Sequence, residues 1–309
     1  MRIVFMGTPD FAVPSLIAFH NSHHQIVAVV TQPDRPSGRG LKLRSPEIKI
    51  KAIELGYPVL QPESLKSDEF YSQLRDCYPD ILVVLAFRIL PERIFSMPEF
   101  GSINAHASLL PKYRGAAPIH RAIMNDEKYT GVTTFQIAKN IDTGSILMQE
   151  KIPIFQNDTT GSMWDKLANL SASTLIKTVD GISNHSLNPI AQDHSMASPA
   201  PKIKKDETKI NWQDSAESIH NQIRAFSPFP GAFTTYQGKR LKLFSSSVSA
   251  EEITNDIVPG KIVIRNDSMV IRCNTDMIKI DEVQIEGKRR MSVKDFILGY
   301  GISSGENFE

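Results

Sequence analysis

The sequence predicts a doubly wound α/β domain with a mostly parallel sheet, then a linker, then a smaller antiparallel β-barrel. Three observations predict it. Runs apolar on both faces alternate with helical segments in the first half; a proline-bearing stretch without periodicity follows Leu187; and about five short strand-like runs follow that stretch, most of them separated by turn residues. The chain has 309 residues, 41% of them hydrophobic. That exceeds the usual ~100–200 residues of one domain and supplies material for two cores.

In order, Arg2–Met6, Ile26–Thr31 and Ile81–Phe87 read as buried parallel strands. Between them, Asp10 is expected to cap a helix carrying Phe11, Leu16, Ile17 and Phe19, with Pro14 in its opening turn. Ser45 is expected to cap a second helix, with Pro46 at its first position, Glu47 in its first turn and Gly56 at its end. Thr130–Ala138 and Ser145–Ile154 read as further strands, followed by a helix from about Ser162 to Ile182. Residues 188–206, with three prolines and a basic end, read as a linker between domains at 1–187 and 207–309. Beyond it, Asp214 and Glu217 suit a capping box, and Phe233–Tyr236, Arg240–Phe244, Lys261–Arg265, Met269–Cys273 and Met277–Ile285 read as strands of a small barrel, with an oligonucleotide-binding type as one candidate.

Composition narrows the function. No run of ~18 apolar residues is present, so a transmembrane helix is excluded. The opening MRIVFMGTPDF has neither a signal nor a transit pattern, which gives a cytoplasmic expectation. Cys77 and Cys273 have no partner spacing and are expected as inert thiols of a reducing compartment. With 35 Lys and Arg against 34 Asp and Glu, a net charge of +1 argues against a bulk polyelectrolyte binder; nucleic acid would have to meet local basic patches. Gly7 belongs to no G-x-G-x-x-G, and no P-loop occurs, so a nucleotide phosphate cradle is missing. His20, His23 and His24 lack a cysteine or carboxylate framework nearby in sequence, and no metal is expected there.

Chemistry is expected at the carboxyl ends of the parallel strands. Ser102–His106 (SINAH) reads as a strand closing with Asn104 and His106, and residues two apart on a strand face the same way. A carboxamide can stabilise a developing oxyanion, and an imidazole can move a proton near neutral pH. Asp142, in a turn of IDTGSIL, is a candidate to orient the imidazole. All three residue types also suit structural roles: a core histidine, a turn asparagine and an Asx turn before Gly144. From Arg35 to Lys51, Arg35, Arg39, Lys42, Arg44, Lys49 and Lys51 face only Glu47, and Gly38 and Gly40 flank Arg39. Such a loop can follow a phosphate backbone or remain a solvated charged loop. Weaker basic groups are Lys202 with Lys204 and Lys205, Lys239 with Arg240 and Lys242, and Lys288 with Arg289 and Arg290.

The run from Asn104 to Pro111 (NAHASLLP) followed by Lys112–Ile119 (KYRGAAPI), with IDTGSIL at 141–147, resembles the signature of the 10-formyltetrahydrofolate-dependent formyltransferases. The opening FMGTPDFAVPSL, the loop TQPDRPSGRG and the later RAFSPFPGAF resemble its tRNA-acting branch, over nearly the whole chain. The resemblance implies a Rossmann-like catalytic domain and a C-terminal barrel that helps hold tRNA. It implies formyl transfer from 10-formyltetrahydrofolate, as co-substrate and without a metal, to the amino group of initiator methionyl-tRNA by a monomer. Carried over by position, it implies Asn104, His106 and Asp142 as catalytic residues. It places Phe87, Arg88, Ile89 and Leu90, and Ser108, Leu109, Leu110 and Pro111, at the folate; on charge, Arg35, Arg39, Lys42, Arg44, Lys204 and Lys205 are expected at the tRNA. Arg88 departs from the small residue usual in that branch, and its Arg-Ile-Leu run is more like the branch acting on glycinamide ribonucleotide. Ala107 replaces the more usual glycine or proline. The small-substrate branch lacks the second domain and the RGAAPI run. Formyl transfer to a small amine, and a noncatalytic RNA-binding protein, are the alternatives.

Overall fold

Strands that are apolar on both faces need cover on both sides, and the arrangement of the first half supplies it. In the computed structural model, which describes residues 1–37, 42–249 and 258–309, the chain divides into two units. One comprises Met1–Pro118, Tyr129–Pro153 and Trp164–Pro201; the other comprises Ile119–Lys128, Ile154–Met163 and Lys202–Glu309.

The first unit is built on a seven-stranded sheet. In chain order its elements begin with β1 (Arg2–Gly7), α1 (Val13–His20), β2 (Gln25–Val30) and a short hairpin of β3 (Arg35–Ser37) and β4 (Lys42–Arg44). Then come α2 (Glu47–Glu54), β5 (Val59–Leu60), α3 (Asp68–Arg75), β6 (Ile81–Leu85), α4 (Glu92–Phe95) and β7 (Ser102–His106). After α5 (Pro118–Met124), which from Ile119 on belongs to the second unit, follow β8 (Tyr129–Gln136), β9 (Ile146–Pro153) and the long helix α6 (Thr160–Ser183), in the first unit from Trp164 on. The strand order is β5-β2-β1-β6-β7-β8-β9. The first five run parallel, and β8 and β9 are antiparallel additions at one edge. Successive residues of β1 serve opposite layers. Val4 and Met6 pack in one cluster with Phe70 and Leu74 of α3 and Ile94 of α4, whereas Phe5 meets Phe19 of α1.

The second unit holds α7 (Ala216–Phe226), then β10 (Ala232–Tyr236), β11 (Lys239–Ser249), β12 (Ile262–Arg265), β13 (Ser268–Arg272), β14 (Met277–Ile285), β15 (Met291–Ser292) and α8 (Val293–Tyr300). The sheet runs β10-β11-β14-β13-β12, with β15 beside β14, all antiparallel. Its two edges are joined by the last residues of the chain. Ile262 donates to the Glu306 carbonyl and Phe308 to that of Gly260, while Thr235 and Glu309 exchange a pair of bonds at 3.0 Å. Sequence periodicity does not show this closing segment. The core centres on aromatic contacts: Trp212 stacks on Phe308 at 5.8 Å, and Tyr236 meets Phe296 and Phe308 edge-on. Burial and the Glu306 carboxylate push the Tyr236 hydroxyl up to about 12.

Several local expectations shift by a residue or two. Asp10 opens a 3₁₀ turn, Asp10–Ala12, and accepts from the Phe11 N–H and the Trp164 indole instead of capping α1. Ser45 does not cap α2; its hydroxyl goes to Asp34, and Pro46 occupies the cap position. Ser215, not Asp214, caps α7, accepting from Ser218, while Asp214 takes an Asn211 amide proton. The stretch 188–206 is divided: through Pro201 it packs with the first unit, where Ile190 bridges to Ile146 and Gln192 is buried. Its prolines signal irregular backbone, which is not the same as lack of contact. Cys77 and Cys273 are both free, and burial pushes the Cys273 thiol up to about 12. Among the described residues no helix is long and apolar enough to cross a membrane.

Candidate active site

β7 lies between β6 and β8, with Asn104 level with Val84 and Phe135, and His106 level with Thr133. Strand alternation sends Ile103 and Ala105 into the core and leaves Asn104 and His106 together on the other face, at the carboxyl end of the parallel strands. The buried Asn104 Oδ1 has no hydrogen-bond partner, an uncompensated acceptor of the kind that is costly in a folded interior.

His106 is nearly buried and is held from its far nitrogen. Nε2 stands 2.7 Å from the Tyr113 carbonyl oxygen. A carbonyl only accepts, so Nε2 carries the hydrogen and donates it, which leaves the ring's lone pair on Nδ1. Asp142 Oδ2 faces that nitrogen at 3.7 Å, with the two side chains 8% and 10% exposed. The separation is too long for a hydrogen bond but close for an ion pair with the imidazolium. The same Oδ2 accepts the Gly115 N–H at 2.9 Å.

Two backbone conformations put Asp142 there. Asp142 itself has φ +53°, and a Cβ on the following Gly144 would overlap the Gln136 carbonyl. On the other segment Gly115 has φ +123°, and a Cβ would come 2.7 Å from the Ala200 carbonyl oxygen. Gly115 and Gly144 are therefore required by close backbone approach. Gln192, absent from the sequence expectations, links both segments: it donates to the carbonyls of Asp142 and Gly144 and accepts from Arg114.

The residues expected at a folate ligand divide. Past β6, Ala86 takes φ +49°, Ile89 is exposed, and Leu90 joins the core. Phe87 is partly buried against the same core. Arg88 donates to the carbonyls of Pro62 (2.7 Å) and Glu63 (3.1 Å) and lies over the Phe87 ring, while its buried Nε has no partner. Ser108 and Leu110 face inward, and Leu109 and Pro111 are half-buried. The Ser108 hydroxyl donates to the Lys112 carbonyl, and the Leu110 N–H to Thr133 Oγ1. Thr133, the strand partner of His106, thus ties down the turn that follows β7.

The basic loop is less free than its composition suggests. Arg35 is exposed, Arg39 lies outside the described residues, and Lys42 pairs by its backbone in β4. Arg44 is exposed but bonded to Glu47, Lys49 is bonded to Asp34, and Lys51 to Glu54. Asp34 and Glu54 lie just outside the stretch whose charge stood out. Lys204 and Lys205 are exposed in the second unit. Of the other basic groups, Arg240 lies over Phe233 and Arg290 over Phe244 while paired with Glu282. A carboxylate does join the histidine group: Asp180 Oδ1 stands 3.3 Å from His23 Nε2 and 3.0 Å from His24 Nε2. The Met1 ammonium donates to His24 Nδ1, so the neutral His24 ring carries its hydrogen on Nε2 and donates it to Asp180, a hydrogen-bonded clasp. The histidine spacing gave no sign of a carboxylate 156 positions away.

Residues 1–179 match the formyl transferase family, and residues 202–301 match the formyl transferase C-terminal domain. The chain belongs to the formyl transferase family. Within it, the methionyl-tRNA formyltransferase of Acetivibrio thermocellus is 44% identical over 308 residues, covering 99% of both chains. That of Caldanaerobacter subterraneus subsp. tengcongensis is 44% identical over 307 residues, again 99% of each. Among solved structures, the sugar 3N-formyl transferase WlaRD, determined in the presence of dTDP and 5-N-formyl-THF, is similar with a TM-score of 0.68 and 24% identity over 94% of this chain and 99% of that one. The Rossmann-like sheet and the separate antiparallel unit are the family's fold, and the chain is a formyltransferase.

Proposed function

We propose that this enzyme moves the formyl group of 10-formyltetrahydrofolate onto the α-amino group of initiator methionyl-tRNA, acting in the cytoplasm as a monomer. The observation that carries this reading is the Asn104, His106 and Asp142 group at the end of β7. The reading is supported by full-length likeness to methionyl-tRNA formyltransferases, second unit included. The residues fit the reacting pair. Asn104 Oδ1, buried without a partner, suits an amine N–H, and the Nδ2 end of the same amide suits the formyl oxygen.

The chemistry asked of the chain is acyl transfer to nitrogen. The neutral amine bonds to the formyl carbon, negative charge builds on the formyl oxygen, and the amine must lose a proton. The bond from that carbon to folate nitrogen then breaks, and the nitrogen regains a proton. Asn104 stabilises the oxyanion, a role whose loss typically costs about 10²–10³ in rate. His106 takes the amine proton at Nδ1 and returns it to the leaving nitrogen, with Asp142 stabilising the imidazolium between the two steps. Arg35, Arg39, Lys42, Arg44, Lys204 and Lys205 are the proposed phosphate contacts, and Phe87–Leu90 with Ser108–Pro111 the proposed folate border.

The test is incubation with 10-formyltetrahydrofolate and charged initiator tRNA, with deacylated tRNA, free methionine and a dTDP-amino sugar as parallel acceptors. Formylmethionyl-tRNA alone supports the reading. Turnover of the sugar in preference to the tRNA overturns it.

A further inference from the structure

We infer that Gln192 is a positioning residue for the His106–Asp142 pair, an inference that rests on the formyl-transfer reading above. Gln192 lies in neither matched region, between residues 179 and 202. It is 7% exposed and uses its whole side-chain amide. Nε2 donates to the main-chain oxygens of Asp142 (3.0 Å) and Gly144 (2.7 Å). Oε1 accepts from Arg114 Nε (3.2 Å) and Nη2 (2.5 Å).

These partners are the two backbones that hold the reacting pair. Arg114 sits between Tyr113, whose carbonyl takes the His106 Nε2 hydrogen, and Gly115, whose N–H goes to Asp142 Oδ2. The segment carrying Gln192 is itself anchored to both sides. Ile190 exchanges backbone bonds with Ile146, Arg114 donates to the Ser198 carbonyl, and Ala200 donates to that of Arg114. One buried amide therefore ties the turn bearing the carboxylate to the loop bearing both main-chain partners of the pair.

No other side chain of this size fits the four bonds. Glutamate would set lone pairs against two carbonyls, and lysine or arginine could not accept from Arg114. Asp142 has φ +53°, a conformation that persists in a non-glycine residue when its surroundings fix it. Without the two donors from Gln192 the turn relaxes, the carboxylate retreats from Nδ1, and the imidazolium loses its charge partner. Displacements of about 1 Å in such a site cost about 100-fold in rate.

The experiment uses the full chain with Gln192→Met and Gln192→Glu. For Gln192→Met, kcat is expected to fall about 10- to 100-fold with little change in KM for either substrate. In the free protein, the Gly115 amide proton, which goes to Asp142 Oδ2, is expected to move upfield in a ¹H–¹⁵N spectrum as the carboxylate withdraws. Added to Asp142→Asn, Gln192→Met is expected to cost almost nothing further, because both act through one carboxylate. A purely structural role would lower thermal stability and the fraction of active protein, but leave the Gly115 amide signal and the kcat of active sites unchanged; that result overturns the inference. Should Gln192→Met not fold, Gln192→Glu, which keeps the Arg114 bonds, is read in its place, and parent-like kcat again overturns it. Failure of the parent to formylate tRNA would sink the proposed function alone, since the NMR measurement needs no substrate.

Discussion

Replacing Asp142 by Asn removes one charge and little else. The amide keeps the size of the carboxylate, and its oxygen can still accept the Gly115 N–H. What is lost is an anion 3.7 Å from His106 Nδ1, between two side chains that are about nine-tenths buried. At that distance, with an effective dielectric of about 20, a full charge stabilises an imidazolium by about 4.5 kcal/mol. Since one decade corresponds to about 1.4 kcal/mol, kcat should fall by about 10³. KM for folate and for tRNA should stay within about threefold, because the carboxylate acts on the imidazolium and not on the ground-state ligands. Formylation of methionyl-tRNA at saturating and limiting concentrations of each substrate measures both. A kcat within about threefold of the parent would refute the assignment of Asp142 as the charge partner of His106.

Further outcomes follow from other contacts. Gly144→Ala should destabilise the first unit by about 1–3 kcal/mol, because the added methyl meets the Gln136 carbonyl, and should reduce kcat by displacing Asp142; denaturant midpoints and turnover check both. Phe308→Ala should cost about 3 kcal/mol in the second unit, since its buried ring packs on Trp212 and Tyr236; an unchanged urea midpoint would contradict the closing role of the terminal segment. Burial lowers His120 and His220 below their ordinary value of 6.5, so the unfolded chain binds those protons more readily. Their contribution to stability is therefore full above pH 6.5 and is lost as pH falls through the lower folded values; urea midpoints at pH 7.5 and 5.5 should differ in that direction.

What the sequence disclosed follows from the range of each signal. Asn104 and His106 were legible as a pair because a strand repeats every two residues, and buried parallel strands announce themselves by continuous apolar runs. Asp142 was one turn carboxylate among several; its selection depends on a φ of +53° and a glycine whose Cβ would collide, neither of which leaves a periodic trace. Gln192 was hidden altogether, in a stretch of prolines and polar residues whose order comes from other segments. Cap positions slipped because Asp10 and Ser45 found partners at Trp164 and Asp34, and local rules weigh only neighbours. The basic loop looked freer than it is for the same reason, with Lys49 and Lys51 paired to carboxylates outside the counted run.

The manner in which His106 is held bears on the proposed proton transfer. Had Asp142 approached within hydrogen-bond distance, the Nδ1 position would be occupied by a shared hydrogen, and the neutral ring would present its lone pair on Nε2 instead. The Tyr113 carbonyl prevents this. It accepts at 2.7 Å in every protonation state of the ring and so fixes the hydrogen on Nε2. Asp142, with Oδ2 already taken by Gly115, supplies charge at 3.7 Å without claiming the lone pair. A main-chain carbonyl thus sets the tautomer, and a carboxylate stands beside the other nitrogen without bonding to it. In the proposed mechanism this arrangement leaves Nδ1 as the nitrogen that accepts the amine proton and later releases it. Because a side-chain substitution at Tyr113 leaves its carbonyl in place, Tyr113 variants that keep the loop should preserve the tautomer, and a ¹⁵N spectrum of the ring that put the hydrogen on Nδ1 would refute the assignment.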